Sequence, residues 1–399
     1  MSNLLAKDFF TPQDAEYIIS VRREIHRHPE LGFDTEHTLG IIERELNAMD
    51  IPYTRKYGKG SLVGYVGKDE GFTVAIRADI DALPLQEKTG LPFSSEIDGV
   101  MHACGHDAHP AMLLGTARAL KRAEAQLGCR VKLIFQPNEE GWGKEGSGAA
   151  MMCKNGVMDD VNLILGVHVE NWLESGKIGV CPGNSMAACH PYTIEFFGRT
   201  AHATLPQSGR DTLAMAVSAY NDIYLMKARE INPFENHIIS ISSLQAGHTH
   251  NVIPDYAKMT ISVRTFDMKL DEFIKRRITE ICERAAAERG GTCKVTDSLD
   301  AMPIINDPKL SALVLKAAAT ALGEDRVTEM PVKLSSEDFS FYMAHKPGVF
   351  MRLGTRNEEK GCVTLPHNND FLIDEDAFIS ASMTCVQFVL DNMNGIEGY

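Results

Sequence analysis

The stretch VNLILGVHV, residues 161–169, is one of the longest apolar runs in the chain and decides its fold class. Two shorter runs of mainly apolar residues precede it, FTVAI at 72–76 and VKLIF at 131–135, with a helical pattern at about 107–127 between them. Buried strands that alternate with helices are typical of a parallel sheet covered on both faces. These residues therefore predict an α/β domain with a mostly parallel sheet.

The pattern changes near Cys189. The segment YTIEF, residues 192–196, alternates apolar and polar side chains, as a half-buried strand does. The elements predicted to follow are a helix at 212–229, strands at 237–244 and 258–264, a helix that begins near Leu270 and a strand at 292–296. The order β-α-β-β-α-β is that of a ferredoxin-like layer.

After this layer the sequence returns to apolar helices, at 310–322 and 377–393, with a strand at 349–353 between them. The 399 residues are enough for two or three domains. We therefore predict one small domain inserted into a larger one. The predicted boundaries place the larger domain at 1–187 and 299–399 and the inserted domain at 188–298.

The composition excludes some classes of partner. Acidic residues number 54 against 40 basic ones, so the formal net charge is −14. A surface of this sign repels phosphate backbones and anionic lipids, so we expect neither nucleic-acid nor membrane binding. The nine cysteines are scattered without paired CxxC spacing, and the N-terminal residues have no apolar segment of signal-peptide length. We therefore expect reduced thiols and a cytoplasmic location.

The segment MHACGHDAHP, residues 101–110, contains the densest cluster of potential metal ligands. Its ligand-type residues are His102, Cys104, His106, Asp107 and His109. Because Cys104 and His106 are two residues apart, they project the same way from an extended backbone and can share one ion. The segment stands just before a predicted helix, where a thiolate is electrostatically favoured. A metal site is therefore predicted here.

Further ligand-type residues stand where predicted strands end. Glu139 and Glu140 of QPNEEG follow the second strand, and the carboxyl ends of strands are where ligands of α/β sheets gather. One glutamate could hold a metal while its neighbour takes a proton from bound water; the simpler interpretation is a solvated acidic loop. His168 closes the run at 161–169 and could equally be a core histidine.

Two more positions add ligand-type side chains. Asp79 and Asp81 follow the first strand and could be only a turn or cap, while His367 lies in the polar loop LPHNNDF. One thiolate, several imidazoles and a carboxylate are typical of a catalytic metal site and unlike the closed, cysteine-rich structural sites.

Nine motifs along the chain then suggest a family. They are, in order, RADIDALP, HACGHDAH, QPNEEG, GVHV, GRTAHA, NVIPD, VRTF, SSEDFSFY and PHNNDF. From about Arg22 to Phe378 the chain resembles the N-acyl-amino-acid amidohydrolase branch of the dinuclear metallopeptidase family, which includes aminoacylase, hippurate hydrolase, carboxypeptidase G and auxin-conjugate hydrolases. The resemblance implies a catalytic domain with an inserted lid that often mediates dimerisation, hence a homodimer or higher homo-oligomer.

The resemblance also implies roles for individual residues. The implied ligands of two divalent ions (Zn, Mn or Co) are Cys104, His106, Glu140, His168 and His367. Glu139 would be the general base, and Asp81 would support the metal site from behind its ligands. His202 of GRTAHA would stabilise the oxyanion in a neighbouring subunit's site. Asn251 and Arg264 match positions near the substrate.

The implied activity is hydrolysis of the amide bond of N-acyl or N-aroyl amino acids by metal-activated water. One alternative is a dipeptidase or aminopeptidase-like hydrolase that uses the same dinuclear site. Two others are a cysteine hydrolase with Cys104 as nucleophile and His106 as base, and a non-catalytic binding protein that keeps the fold.

Two stretches depart from the family pattern. Met302 stands before Pro303 where carboxypeptidase-G-like relatives have a carboxylate-binding arginine, so a strict glutamate preference is not implied. The segment GWGKEGSGA, residues 141–149, is longer and richer in glycine than expected. It either reshapes the pocket or is simply a loop.

Overall fold

The computed structural model describes residues 4–141 and 146–399. Residues 142–145 of the glycine-rich segment GWGKEGSGA lie outside this description. The α-helices of the described residues are α1 (Pro12–Arg27), α2 (Glu36–Ala48), α3 (Ala108–Ala123), α4 (Gly148–Lys154), α5 (Thr212–Arg229), α6 (Met268–Ala287), α7 (Pro308–Leu322), α8 (Ser340–Met343) and α9 (Phe378–Asn392). Short 3-10 helices occur at Ala6–Phe9, Glu124–Gln126, Pro206–Ser208, Glu324–Arg326 and Glu375–Ala377.

The strands belong to four sheets. They are β1 (Tyr53–Thr54), β2 (Leu62–Gly67), β3 (Thr73–Asp79), β4 (Arg130–Gln136), β5 (Leu163–Glu174), β6 (Ile178–Val180), β7 (Gly183–Met186), β8 (His190–Phe197), β9 (Ala201–His202), β10 (His237–Ala246), β11 (Val252–Ile253), β12 (Tyr256–Thr265), β13 (Thr292–Asp297), β14 (Ile304–Asn306), β15 (Val327–Glu329) and β16 (Gly348–Arg356). The pairs β9 with β11 and β7 with β14 form two small two-stranded sheets.

The described residues divide into two compact units. The first unit comprises the residues up to Ser185 together with Ile305–Val332 and Asp338–Tyr399, and the second unit comprises Met186–Ile304 and Lys333–Glu337. The predicted inserted segment, 188–298, lies within the second unit, which also includes the flanking residues and the separate stretch Lys333–Glu337.

The first unit is built on an eight-stranded sheet in the order β1-β2-β4-β3-β5-β16-β6-β15. Its four central strands, β4, β3, β5 and β16, run parallel to one another. Every residue of β3 is buried, as expected for a parallel strand covered on both faces. Residues of α1, α3, α7 and α9 complete the apolar core around this sheet. The predicted α/β class with a mostly parallel sheet is confirmed.

The register of the central strands positions the ligand-type residues. Val74 pairs with Leu163 and Arg77 pairs with Gly166, so the same register brings Asp79 level with His168. The prediction that His168 closes its strand is wrong, because β5 continues to Glu174 alongside β16. His168 nevertheless lies after Gly166, the last residue of β5 that pairs with β3. It is therefore at the same edge of the sheet as the side chains that follow β3 and β4.

The second unit contains a four-stranded antiparallel sheet in the order β10-β12-β8-β13. Helix α5 connects β8 to β10 in the chain, and α6 connects β12 to β13, which reproduces the predicted β-α-β-β-α-β order. Along β12, buried and half-buried residues alternate, and its buried residues join one face of α5 and of α6 in a separate apolar core. This strand pattern has the period of two that the sequence predicted.

Among the described residues no helix combines the length and hydrophobicity needed to cross a membrane.

Candidate metal centre

The loop before α3 turns sharply at Gly105. This glycine has φ of 80°, and a Cβ atom at its position would lie 2.4 Å from Cγ2 of Val169. The backbone is therefore a tight turn under β5, not the extended segment that the sequence predicted between Cys104 and His106. The two side chains still reach a common cluster because the turn carries both of them.

The Asp81 carboxylate holds the turn after β4. Its two oxygens accept hydrogen bonds from the backbone N–H groups of Glu139 (3.0 Å) and Glu140 (3.1 Å). Asp81 is fully buried, and Asn138 before the two glutamates has a positive φ of 51°. The side chains of both glutamates therefore project from a turn whose backbone is held on one side by a buried carboxylate.

Three imidazoles face this turn. His106 Nδ1 donates to the backbone oxygen of Asp81 at 3.1 Å, and His168 Nδ1 donates to the backbone oxygen of Val169 at 2.6 Å. These bonds leave the Nε2 lone pair of each ring to accept a metal. His168 Nε2 lies 3.5 Å from Cys104 Sγ, and His367 Nε2 lies 3.3 Å from Glu140 Oε1.

These side chains form overlapping sets of three potential ligands, and within each set the ligand atoms lie within 4.8 Å of one another. Two of the sets share Cys104: one adds His106 and His168, and the other adds Glu140 and His367. Together they contain all five ligands implied by the resemblance. A third set joins His106 to Glu139 and Glu140.

The donor chemistry fits a divalent transition metal. The cluster offers one sulfur, three imidazole nitrogens and carboxylate oxygens, a mixture that zinc, cobalt and manganese sites use. Buried His106 Nε2 has no hydrogen-bond partner among the described residues. A buried polar atom without a partner is costly, and a bound cation would satisfy it.

The electrostatics of the cluster argue against Cys104 as a free nucleophile. Burial raises the pKa of its thiol to about 12, whereas reactive cysteines have a lowered pKa. Burial also lowers the pKa of His168 well below its usual range, which keeps the ring neutral as a metal ligand must be. For Glu140, burial opposes ionisation, but the hydrogen bond from His367 and the charges of His106 and His367 together outweigh it, so the pKa falls.

A buried hydrogen-bond network next to the cluster was not predicted from the sequence. Arg77 donates to Asp79 at 2.6 Å and to Asp338 at 2.9 Å, and all three side chains are buried. Asp79 also hydrogen-bonds to His109 Nδ1, while His109 Nε2 accepts from the backbone N–H of Val169 at 3.1 Å. Both nitrogens of His109 are thus occupied. The available signal was the pair of opposite charges, Arg77 and Asp79, at the end of a strand that the sequence predicts to be buried.

A second missed group holds the start of α3. Asp107 caps the helix through the backbone N–H of Ala108, and its carboxylate also lies 2.6 Å from Arg22 Nε and 2.7 Å from His26 Nδ1. Arg22 and His26 are one helical turn apart on α1. Their spacing in RREIH was the available signal.

The remaining predicted site residues belong to the second unit. His202 and Asn251 are neighbours there, because His202 pairs with Val252 between β9 and β11 and the Ala203 N–H donates to Asn251 O at 2.9 Å. His202 is exposed, and its Nδ1 contacts Thr204 Oγ1 at 2.7 Å. Arg264 donates to Ser336 Oγ at 2.7 Å.

Comparisons with known proteins identify the family. The sequence model of peptidase family M20/M25/M40 matches residues 75–391. The chain belongs to this family. Thermostable carboxypeptidase 1 of Saccharolobus solfataricus is 36% identical over 368 residues, which cover 90% of this chain and 91% of the relative. N-acetyl-L-cysteine deacetylase of Bacillus subtilis is 35% identical, with 92% and 85% covered.

A solved structure of a member of the M20 family also matches. It is a Bacillus subtilis protein described as a dinuclear metal-binding peptidase, with a TM-score of 0.82 and 31% identity, covering 97% of this chain and all of that one. The resemblance seen in the sequence is thereby confirmed, and so is the prediction of a metal-dependent amidohydrolase.

Proposed function

We propose that this M20 protein hydrolyses the amide bond of N-acyl or N-aroyl amino acids and releases a carboxylic acid and a free amino acid. The observation that carries the proposal is the convergence of five potential ligands with Glu139 beside them. Relatives named for the deacetylation of N-acetylcysteine support the acyl amino acid as the substrate class.

Cys104, His106, Glu140, His168 and His367 would hold two divalent ions, taken from zinc, manganese or cobalt. When bound, such ions lower the pKa of a water molecule and polarise a carbonyl oxygen. The mixed sulfur, nitrogen and oxygen ligands and the buried His106 Nε2, which has no hydrogen-bond partner among the described residues, support this assignment.

Glu139 would act as the general base. Its Oε2 lies 3.9 Å from His106 Nε2, its side chain is 12% exposed, and its backbone is held by Asp81. In this position it accepts a proton from the attacking water as the new carbon–oxygen bond forms, and it returns a proton to the nitrogen as the carbon–nitrogen bond breaks. Asp81 acts through the backbone of both glutamates and keeps the base aimed at the cluster.

Three residues of the second unit would act in catalysis or substrate binding. We assign to His202 the stabilisation of the oxyanion in a neighbouring subunit, and to Asn251 and Arg264 contacts with the substrate. These roles follow the family resemblance. Strand β9, which carries His202, pairs with β11, which begins directly after Asn251, and this pairing supports their acting together.

A homodimer formed through the second unit is part of the proposal. On α5, Leu213, Val217 and Tyr220 are spaced four and three residues apart, and each is 37–45% exposed. They form an apolar stripe on one helix face. Strand β10 is at an edge of its sheet and, in the described part of the chain, pairs only with β12. An exposed apolar stripe and an open sheet edge favour association.

We also propose a cytoplasmic location. All nine cysteines are free thiols, five of them buried. Free cysteines on this scale are typical of proteins in a reducing compartment.

The test is a substrate panel with controlled metal content. Acetyl, benzoyl, indole-acetyl and fatty-acyl amino acids are offered to protein treated with a chelator and then supplied with Zn²⁺, Mn²⁺ or Co²⁺. Chelation should abolish amide hydrolysis, and one or more of the metals should restore it. Full activity of the metal-free protein, or turnover confined to dipeptides with a free amine, would overturn the proposal.

A further inference from the structure

Asn171 has a completely buried side chain in β5, three residues after His168. Its Nδ2 donates to the backbone oxygens of Thr364 (2.7 Å) and Leu372 (2.8 Å). Its Oδ1 accepts from Thr355 Oγ1 at 2.6 Å. Both amide hydrogens are therefore used, and the third bond fixes which way the amide points.

The two carbonyl groups belong to the two ends of one loop. We call residues 364–372 the His367 loop, since His367 lies in its first half. One side chain of a central strand thus holds both the beginning and the end of this loop. Two polar residues of the loop, Asn368 and Asp370, are exposed, and the side chain of His367 is itself 56% exposed. Thr364, Leu365 and Pro366 in its ligand-bearing half are only half-buried, so hydrogen bonds contribute to the position of this half.

The backbone of His367 needs such support. Its φ is 65°, a left-handed conformation that is unfavourable for a residue with a side chain. The His367 N–H donates to Ala103 O at 2.8 Å, and this bond joins the loop to the turn that carries Cys104. A loop freed at its ends would relax towards ordinary φ values and carry the imidazole away from Glu140, now 3.3 Å from it.

We propose that Asn171 is a positioning residue that holds His367 in place for metal binding. The proposal rests on the metal-dependent function proposed above. It predicts a selective defect, because His367 belongs to the set with Cys104 and Glu140, whereas His106 and His168 join Cys104 in the other set. Loss of Asn171 should weaken binding of one ion and leave the other in place.

The test variant is Asn171→Asp, which keeps the acceptor for Thr355 and the size of the side chain but loses both donors to the loop. Asn306→Asp is a matched control. Asn306 is also completely buried, and its amide also makes three hydrogen bonds, to Cys181 O (2.9 Å), to Phe350 O (3.1 Å) and from the Phe350 N–H (2.7 Å). Its partners are backbone groups outside the His367 loop.

Two readouts separate positioning from general stability. The first is the number of ions per chain and the affinity for each ion, measured in buffered Zn²⁺ or Mn²⁺. The second is hydrogen exchange of peptides covering 364–372 in the metal-free protein. Asn171→Asp should bind one ion as tightly as wild type and the second at least tenfold more weakly. It should also exchange faster in the His367 loop, and excess metal should restore turnover.

Asn306→Asp should lower the thermal midpoint of unfolding but change neither the binding of the two ions nor hydrogen exchange in the His367 loop. Two ions bound to Asn171→Asp with wild-type affinities, or loss of both ions together with faster exchange throughout the first unit, would overturn the positioning role. A wild-type protein that binds no ion would instead overturn the proposed function. Exchange in the His367 loop would then still decide whether Asn171 holds it.

Discussion

Individual residues with unusual backbone angles shape the candidate centre. Gly105, Asn138 and His367 all have positive φ, at 80°, 51° and 65°, and each lies within or next to a ligand-bearing turn. Positive φ lets a chain reverse within one or two residues, but it costs free energy for residues other than glycine. The centre is therefore built on strained turns that buried hydrogen bonds hold in shape, as Asp81 holds the turn after β4.

Gly105→Ala tests the need for this close approach. The left-handed backbone should cost roughly 1–2 kcal/mol, and crowding of the new methyl against Val169 about 1–3 kcal/mol more. Gly361→Ala is the control, because Gly361 has φ of 73° but nothing within 4 Å of its Cβ position. Urea unfolding should show a larger loss for Gly105→Ala. Equal losses for the two variants would contradict the packing argument.

Replacement of the two neighbouring glutamates should have different effects. Glu139→Gln should reduce kcat on the order of 10²- to 10⁴-fold because a general base is lost, while the number of bound ions stays at the wild-type value. Glu140→Gln should lower the number of ions, since it removes a ligand. Steady-state kinetics combined with elemental analysis separates the two. A Glu139→Gln enzyme with near-normal kcat would show that another group is the base.

At the scale of elements, the sequence patterns located the long helices and the buried strands but not all of their ends. Helix α5 has the bounds predicted from the sequence, and the three buried strands of the first unit were recognised, although β5 continues beyond its predicted end. Strands β6 and β15 have only three residues each, so no period of two can develop in them. Their pairing with each other and of β6 with β16 depends on contacts distant in sequence.

A partly buried ion cluster connects three elements of the second unit. His190, at the start of β8, contacts two carboxylates. Its Nδ1 lies 2.7 Å from Asp271 Oδ2 of α6, and its Nε2 lies 2.8 Å from Asp297 Oδ2 of β13. Lys275 Nζ also contacts Asp297, at 2.6 Å, and Tyr192 OH lies 3.2 Å from His190 Nδ1. Burial opposes protonation of His190, but the two carboxylates outweigh it and raise its pKa.

This cluster predicts a pH dependence of stability. Because the pKa of His190 is higher in the folded protein than its ordinary value near 6.5, its contribution is complete below about pH 6.5. The contribution is lost as pH rises through the raised pKa. The difference in unfolding free energy between wild type and His190→Gln should therefore be largest near pH 6 and shrink towards pH 9. Urea unfolding across this range checks it; a constant difference would contradict a charged His190.

For the molecule as a whole, most residues of the candidate site could be named from the order of the nine motifs along the chain. The ligand-type residues occur in distant segments, and only the resemblance could join His367 to Glu140 across more than 200 residues. Local spacing has no information about such contacts. The two hydrogen bonds that Asn171 donates could not be predicted from the sequence either. Their acceptors are backbone carbonyl groups, which every residue type has.

The proposed assembly gives a prediction at the same scale. If copies associate through the apolar stripe of α5, wild type should have twice the 44.0 kDa mass of the chain. Val217→Asp places a charge in that stripe and should yield monomers with reduced kcat, since His202 would no longer reach a neighbouring site. Light scattering with activity assays tests this. A fully active wild-type monomer would contradict both the assembly and the role of His202.

In the proposed centre, five side chains from separate segments hold two cations, and Glu139 beside them accepts and returns protons. Anomalous diffraction from crystals grown with Zn²⁺ or Mn²⁺ tests it most directly. We expect two anomalous peaks among Cys104, His106, Glu140, His168 and His367, with Glu139 next to them. No peak there in crystals of active protein, or peaks bound to other side chains, would contradict it.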